Sequence, residues 1–501
     1  MIIIPTLFSI FPFLVFVFLL FIKKTSLLNA SIVTLGLYTL LATFYWKIFP
    51  SFLFISYNKG FFVALDIFII IFGAIFFLEI LKDLKIIKNI SYYLGGLSKD
   101  YRVQIIVIAW FFECFIEGTA GFGTPAAIAV PLLIGLGLPP IRALVVGLLG
   151  NSTAGVFGAA GTPIKMGFIG LNTIGVPLIA SLLNCIGFIV PIFMLWIITE
   201  GRENRKKEFF DALPFAIWSG LIFVIPSVLF VSLGQEFPSI LGSIVGLIII
   251  FFSIKTGFLI PKEKLSLVEE NKEVSTMSSF KSFLPYIILV TLLILGKFII
   301  GNLGIPIDYL GFKHVFGLFN PGFIFLIAGL LVFFIWKEKE VVISSSFKKA
   351  FKGAIGAFIV VFSMLAMVQI MINSGNNESG LLSATSLITE MFDSVFLPFF
   401  TPFIGAFGAF MTGSVTVSNI MFGNLFNTAA THLSMNNSVI LSLGVVGAAA
   451  GNMIALADIL TAEAVTGIKN GERQVLKGVL VPCLTYLVTL GIIGFLIIKL
   501  F

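Results

Sequence analysis

The chain has 501 residues, of which 58% are hydrophobic and 11% charged, with a net charge of +7 and a mean hydropathy of +1.12. Soluble domains are about 45–50% apolar and about 25% charged, so a water-soluble fold is excluded. The Lys and Arg residues sit in short breaks between apolar runs, which is the pattern of cytoplasmic loops and not of a nucleic-acid-binding stripe.

The apolar run from Met1 to Ile22 has no basic residue before Lys23, and reads as a retained first span in place of a cleaved leader. A spanning helix takes about 20 mostly apolar residues. Further candidates follow at 27–46, 61–81, 103–116, 126–148, 173–199, 213–233, 238–254, 284–301, 320–336, 353–373, 384–411, 416–430, 437–460 and 476–498. The expected fold is an all-α polytopic membrane protein with about 12–15 membrane segments.

Basic clusters orient these spans. Lys23–Lys24, the group from Lys82 to Arg102, Arg202 with Arg205–Lys207, the 255–281 stretch, Lys337 to Lys352, and Lys469 with Arg473 and Lys477 all fit on the cytoplasmic side. The organisation expected is N-terminal helices over 1–60, a first transport half over 61–254, a solvated cytoplasmic linker over 255–283, and a second half over 284–501. In this orientation the helix at 61–81 runs inward and that at 353–373 runs outward. Each leads into a polar, Gly-rich stretch, at about 112–165 and 403–467, so the two stretches enter the membrane from opposite sides. That arrangement predicts an inverted-repeat secondary transporter with broken helices or re-entrant hairpins.

The first stretch holds Glu117-Gly-Thr-Ala-Gly-Phe-Gly-Thr-Pro125 and, later, Gly150-Asn-Ser-Thr-Ala-Gly155. The second holds Gly413-Ser-Val-Thr-Val-Ser-Asn419 and Gly447-Ala-Ala-Ala-Gly-Asn452. Gly and Pro at membrane depth leave backbone groups unpaired, and these are tolerated only inside protein or along a cavity. Freed amides at half-helix starts suit an anion, and hydroxyl and amide side chains add neutral hydrogen bonds. The residues expected to bind a small anion are Gly118, Thr119, Gly121, Gly123, Thr124, Asn151, Ser152, Thr153, Ser414, Thr416, Ser418, Asn419 and Asn452. Close helix packing is the competing use of the small residues among them.

Nothing points to a metal or cofactor. Cys114, Cys185 and Cys483 lie singly in apolar runs, and His314 and His432 are the only histidines. No nucleotide-binding Gly-x-x-x-x-Gly-Lys motif appears, and no zinc-protease or paired-aspartate motif suggests an intramembrane enzyme. A channel also uses re-entrant loops, but a long single chain with internal inversion fits a carrier better.

The runs Phe115-Ile-Glu-Gly-Thr-Ala-Gly-Phe-Gly-Thr-Pro125, Phe157-Gly-Ala-Ala-Gly-Thr-Pro-Ile164, Gly413-Ser-Val-Thr-Val-Ser-Asn419 and Gly451-Asn-Met-Ile454 resemble the L-lactate permease family, in order and spacing over about 60–470. The resemblance implies proton-coupled transport of L-lactate, glycolate and related short 2-hydroxy acids across the cell membrane. Two departures stand out. Asn151-Ser-Thr-Ala-Gly155 lacks the family's Pro, and Ala457-Asp458 places a carboxylate where the family is neutral or basic. Another small organic anion, or sodium as coupling ion, is the alternative.

Carboxyls inside spans are costly and mark cavities or partners. Glu117, beside the first Gly-rich turn, is the candidate for taking up the co-transported proton, with hydrogen-bonded capping of the broken helix as its competing role; Asp458 is a second coupling group that can alternatively pair with a base or lie at a helix end near solvent. Glu113 lies one turn earlier and can share that proton; Glu463 can share it, pair with a base, or lie at a helix end near solvent. Lys165 is expected at the membrane surface, His432 at the interface, and Asp66 and Glu79 in pairs with bases.

Overall fold

The computed structural model describes residues 3–23, 25–121, 124–267, 277–301, 303–309, 312–336, 343–390, 394–466 and 471–500. Gly123 and the loop lysines Lys24, Lys337 and Lys469 lie outside the described residues.

Among the described residues, ten helices are long and apolar enough to cross a membrane, and three shorter apolar helices accompany them. The one small sheet is a hairpin of Gly304–Tyr309 against Phe312–Gly317, in a stretch where no span was expected. Several predicted spans change in detail. The 126–148 span is two helices, Thr124–Gly135 and Pro140–Ala154, because Pro139 and Pro140 stop one helix and start the next. The 61–81 span begins earlier, at Pro50, and runs to Asp83. The 384–411 span divides into Ala384–Thr389 and Leu397–Thr412.

The chain forms two compact units, each drawn from both halves of the sequence. One comprises Met1–Ile86, Phe283–Val395 and Ile420–Met435. Its spine is the helix Pro50–Asp83, packed against Ile343–Asn373 and Pro321–Trp336. Helices in lipid gain little from burying apolar surface against one another and associate by close packing. A side chain at Gly60 would come within 2.8 Å of the Ala366 backbone nitrogen, and one at Gly73 would strike the Gly322 carbonyl. Asn320 Nδ2 donates to the Asp66 carbonyl, while Glu79 pairs with both Lys82 and Lys349.

The other unit comprises Ile87–Ser282, Phe396–Asn419 and Asn436–Phe501 and holds all four helix breaks. Both halves follow the same order. A helix ends at Thr119 or Thr412, the chain turns, and a second helix starts at Thr124 or Val415. Then Pro140–Ala154 or Asn437–Gly451 runs to a single 3-10 turn, Gly155–Phe157 or Asn452–Ile454, and a short helix completes the crossing. This is the inverted repeat with broken helices. The interrupted spans Pro140–Lys165 and Asn437–Glu463 are 100% and 89% buried, against 22–67% for the other eight, so protein rather than lipid surrounds the broken backbone.

At its end that carries Arg102, this unit is tied by a buried ionic cluster. The Arg102 guanidinium bonds Asp100 twice, at 3.0 and 2.7 Å, and reaches Asp211 and the carbonyls of Glu208 and Glu263. Asp100 in turn accepts from the Leu265 amide. The polar 255–281 stretch, expected as a solvated connector, is therefore anchored to the transport helices along its described part.

Candidate functional site

The first half brings Glu117 to the site. After the wide π-helical turns Val107–Phe112, the helix Glu113–Thr119 ends where Gly121 adopts φ +58, a left-handed conformation that glycine reaches without steric penalty. Thr119 Oγ1 bonds back to the carbonyls of Phe115 and Ile116, so this hydroxyl closes the helix. The second break of this half is sharper. Ala159, Ala160 and Gly161 have φ of 42, 54 and 78 in succession. Two consecutive left-handed non-glycine residues are strained, at about 1–3 kcal/mol each, and such strain clusters at functional sites. The turn wraps the Glu117 carboxyl: a Cβ at Gly158 would collide with Oε1, and one at Gly121 would stand 3.6 Å from it.

The second half supplies the opposite wall. Gly413 (φ +67) ends the helix Leu397–Thr412, and Ser414 Oγ caps the next by accepting from the Val417 amide. The first-turn amides of Val415 and Thr416 are left without intrahelical partners, and with them the partial positive charge of an 18-residue helix. Asn452 opens the 3-10 turn of the second broken helix.

These elements line a narrow, partly open pocket formed by Glu117, Gly121, Gly158, Ala159, Pro163, Gly413, Ser414, Val415, Thr416 and Asn452. Among the lining residues one is acidic and none is basic. Asn452 Oδ1 and Glu117 Oε2 are buried with no hydrogen-bond partner among the described residues, which marks polar capacity held ready for a ligand or proton.

Of the sequence-predicted residues, Glu117, Gly121, Ser414, Thr416 and Asn452 meet at this cavity. Asp458 stands next to it, with Oδ1 3.7 Å from where a Cβ on Gly413 would lie, and Asn151 donates to Asp458 Oδ2 at 3.3 Å. Asn419 spans the two halves by donating to the Pro163 carbonyl at 2.9 Å. Gly118, Ser152, Thr153 and Ser418 do not line the cavity. Gly118 packs on the Ile240 backbone, and Ser152 bonds the Leu149 carbonyl. The Thr153 side chain packs on Gly187, and Ser418 donates to the Gly405 carbonyl. Gly123 lies outside the described residues, as does the side chain of Thr124. Lys165 forms a 3.5 Å ion pair with the buried Glu236.

Sequence reasoning did not single out Gly158, Ala159, Pro163, Gly413 or Val415 as cavity residues. Gly158, Ala159 and Pro163 sit in a quoted motif and Gly413 opens one, which was the available signal. Val415 is apolar, and an apolar residue gives no signal for a polar site.

A bundle of broken helices from two inverted halves, closing on a small, mostly neutral polar cavity, defines a multi-pass membrane carrier. The family model described as L-lactate permease matches residues 5–306 and 307–501. The chain belongs to that family. It is 29% identical over 367 residues to the L-lactate permease of Streptococcus iniae, covering 68% of this chain and 72% of that one. It is 24% identical to the L-lactate permease of Bacillus subtilis (97% and 95% covered) and 24% identical to the glycolate permease GlcA of Escherichia coli (98% and 95% covered).

Proposed function

We propose that this protein carries L-lactate, and related short 2-hydroxy acids such as glycolate, across the cell membrane together with protons. The substrate class is supported by family membership and by relatives named for lactate and glycolate. The polarity of the pocket supports it too: neutral donors from Ser414, Thr416, Asn452 and the helix start at Val415 suit one carboxylate and one hydroxyl.

One observation carries the proton: Glu117 shares the cavity that the anion must enter. Two unit negative charges about 4 Å apart repel by about 4 kcal/mol at an effective dielectric near 20. That is about a thousandfold in affinity, so an ionised Glu117 would exclude the substrate and a protonated one admits it. Asp458, held by Asn151 beside the same break, extends the coupling to the second half. Proton and anion then move together or not at all.

The test is uptake of labelled L-lactate by proteoliposomes under an inward proton gradient without sodium. Accumulation above equilibrium, collapsed by a protonophore and competed by glycolate, supports the proposal. Uptake that needs sodium, or none by folded protein, rejects it.

A further inference from the structure

We propose that Glu113 is a second proton carrier, which takes the proton from Glu117 and passes it toward the Arg102 end of the same helix. This rests on the proton-coupled reading of the cavity.

Glu113 is fully buried, and neither of its carboxylate oxygens has a hydrogen-bond partner among the described residues. Burying a lone ionised carboxylate without a partner is far costlier than burying an unsatisfied neutral polar group. A group serving only to fill space would be cheaper as an apolar side chain. The facing helix leaves the carboxyl room: a Cβ at Gly150 would meet the Ala109 carbonyl at 1.9 Å and Glu113 Oε2 at 2.5 Å, and one at Gly147 would meet Val130 at 2.6 Å with Glu113 Oε1 at 4.0 Å.

Its position is that of a relay. Residues four apart share a helix face and are offset by about 6 Å along the axis, so Glu113 stands one turn from Glu117, directly after the π-helical turns Val107–Phe112. Such turns recur at functional sites. The residue next to Glu113, Asn151's neighbour Gly150, ties the pocket to the Asn151–Asp458 bond.

The titratable groups around it are Glu117 and Cys114 on its own helix and Asp458 from the second half. Nothing basic among the described residues compensates Glu113. On Pro140–Ala154, Arg142 lies against Gly201 at the far end. On Gly158–Lys165, Lys165 pairs with Glu236, and on Pro238–Thr256, Lys255 sits over the Phe251 ring. Thr124–Gly135 has no titratable residue. In the step proposed, Glu113 first gives its proton to water entering from the cytoplasm. The O–H bond of Glu117 then breaks as a new one forms on Glu113, and the substrate leaves beside an ionised Glu117.

The test compares two modes in proteoliposomes holding full-length protein. Exchange of labelled for unlabelled L-lactate needs no net proton release, whereas accumulation down a proton gradient does. Glu113→Gln is expected to keep exchange while proton-driven accumulation falls about tenfold or more. Wild-type accumulation by this variant overturns the proposal, and so does loss of exchange along with accumulation. If Glu113→Gln is not recovered as monodisperse protein, Glu113→Asp decides. Slower accumulation with unchanged exchange supports the relay; both unchanged or both lost overturns it. Failure of the wild-type protein to accumulate lactate with protons removes the reading of the cavity itself, whereas wild-type coupling with an indifferent Glu113 removes only this inference.

Discussion

Asn151 and Asp458 lie 307 positions apart, and the amide of the first donates to the carboxylate of the second over 3.3 Å inside the protein core. The bond joins the broken helix of one half to the broken helix of the other, immediately beside the cavity. Replacing Asp458 by Ala leaves a buried amide unsatisfied, worth about 1–3 kcal/mol. A double-mutant cycle with Asn151→Ala, read by thermal unfolding in detergent, is expected to give a coupling of about 0.5–3 kcal/mol. Additive single effects would mean that the two groups do not interact.

Glu117→Gln is expected to abolish the pH dependence of L-lactate exchange. The neutral side chain admits the anion at every pH, so the rate no longer falls as the medium becomes alkaline. Exchange rates between pH 5.5 and 8.5 read this directly. A variant that still slows with rising pH, in parallel with wild type, would place the controlling group elsewhere.

Gly158→Ala forces a methyl against Glu117 Oε1, in a turn already strained at Ala159 and Ala160. Overpacking of this kind costs about 1–3 kcal/mol, and uptake should drop with it. Gly36→Ala is the control, since no atom lies within 4 Å of its added Cβ. In the interior of the helix Leu27–Leu40, that change is expected to leave uptake intact and raise stability by up to about 1 kcal/mol.

The two polar stretches were legible because Gly, Pro, Ser, Thr and Asn have no business in lipid unless a cavity or a neighbouring helix receives them. That reasoning reached Glu117, Ser414, Thr416 and Asn452. It could not separate them from Gly118, Ser152, Thr153 and Ser418, because packing and ligand binding select the same small, polar side chains. Only the direction each one faces tells them apart. Ser418, for instance, spends its hydroxyl on the Gly405 carbonyl. The left-handed run at Ala159–Ala160 left no mark in composition, since alanine ordinarily favours a regular helix. Nor did the anchoring of the 255–281 stretch, which depends on Arg102 being buried 161 positions from its Glu263 partner.

Arg102 also bears on stability. Its guanidinium is fully buried and joins Asp100, Asp211 and two backbone carbonyls. Removing one partner of a buried ion pair strands the other and costs about 3–5 kcal/mol. Arg102→Met is expected to lower the unfolding temperature in detergent and to expose the 255–267 segment to protease. Wild-type stability and protease resistance would show that the cluster does not hold that segment.

Proton and anion are expected to move together, and a pulse of L-lactate reports both at once. Proteoliposomes with a pH dye in the lumen, no sodium and the membrane potential clamped receive external lactate. The lumen is expected to acidify as labelled lactate enters, with close to one proton per anion, and no proton is expected to move with Glu117→Gln. Lactate entry without acidification in wild-type protein, or acidification that persists unchanged in Glu117→Gln, would contradict it.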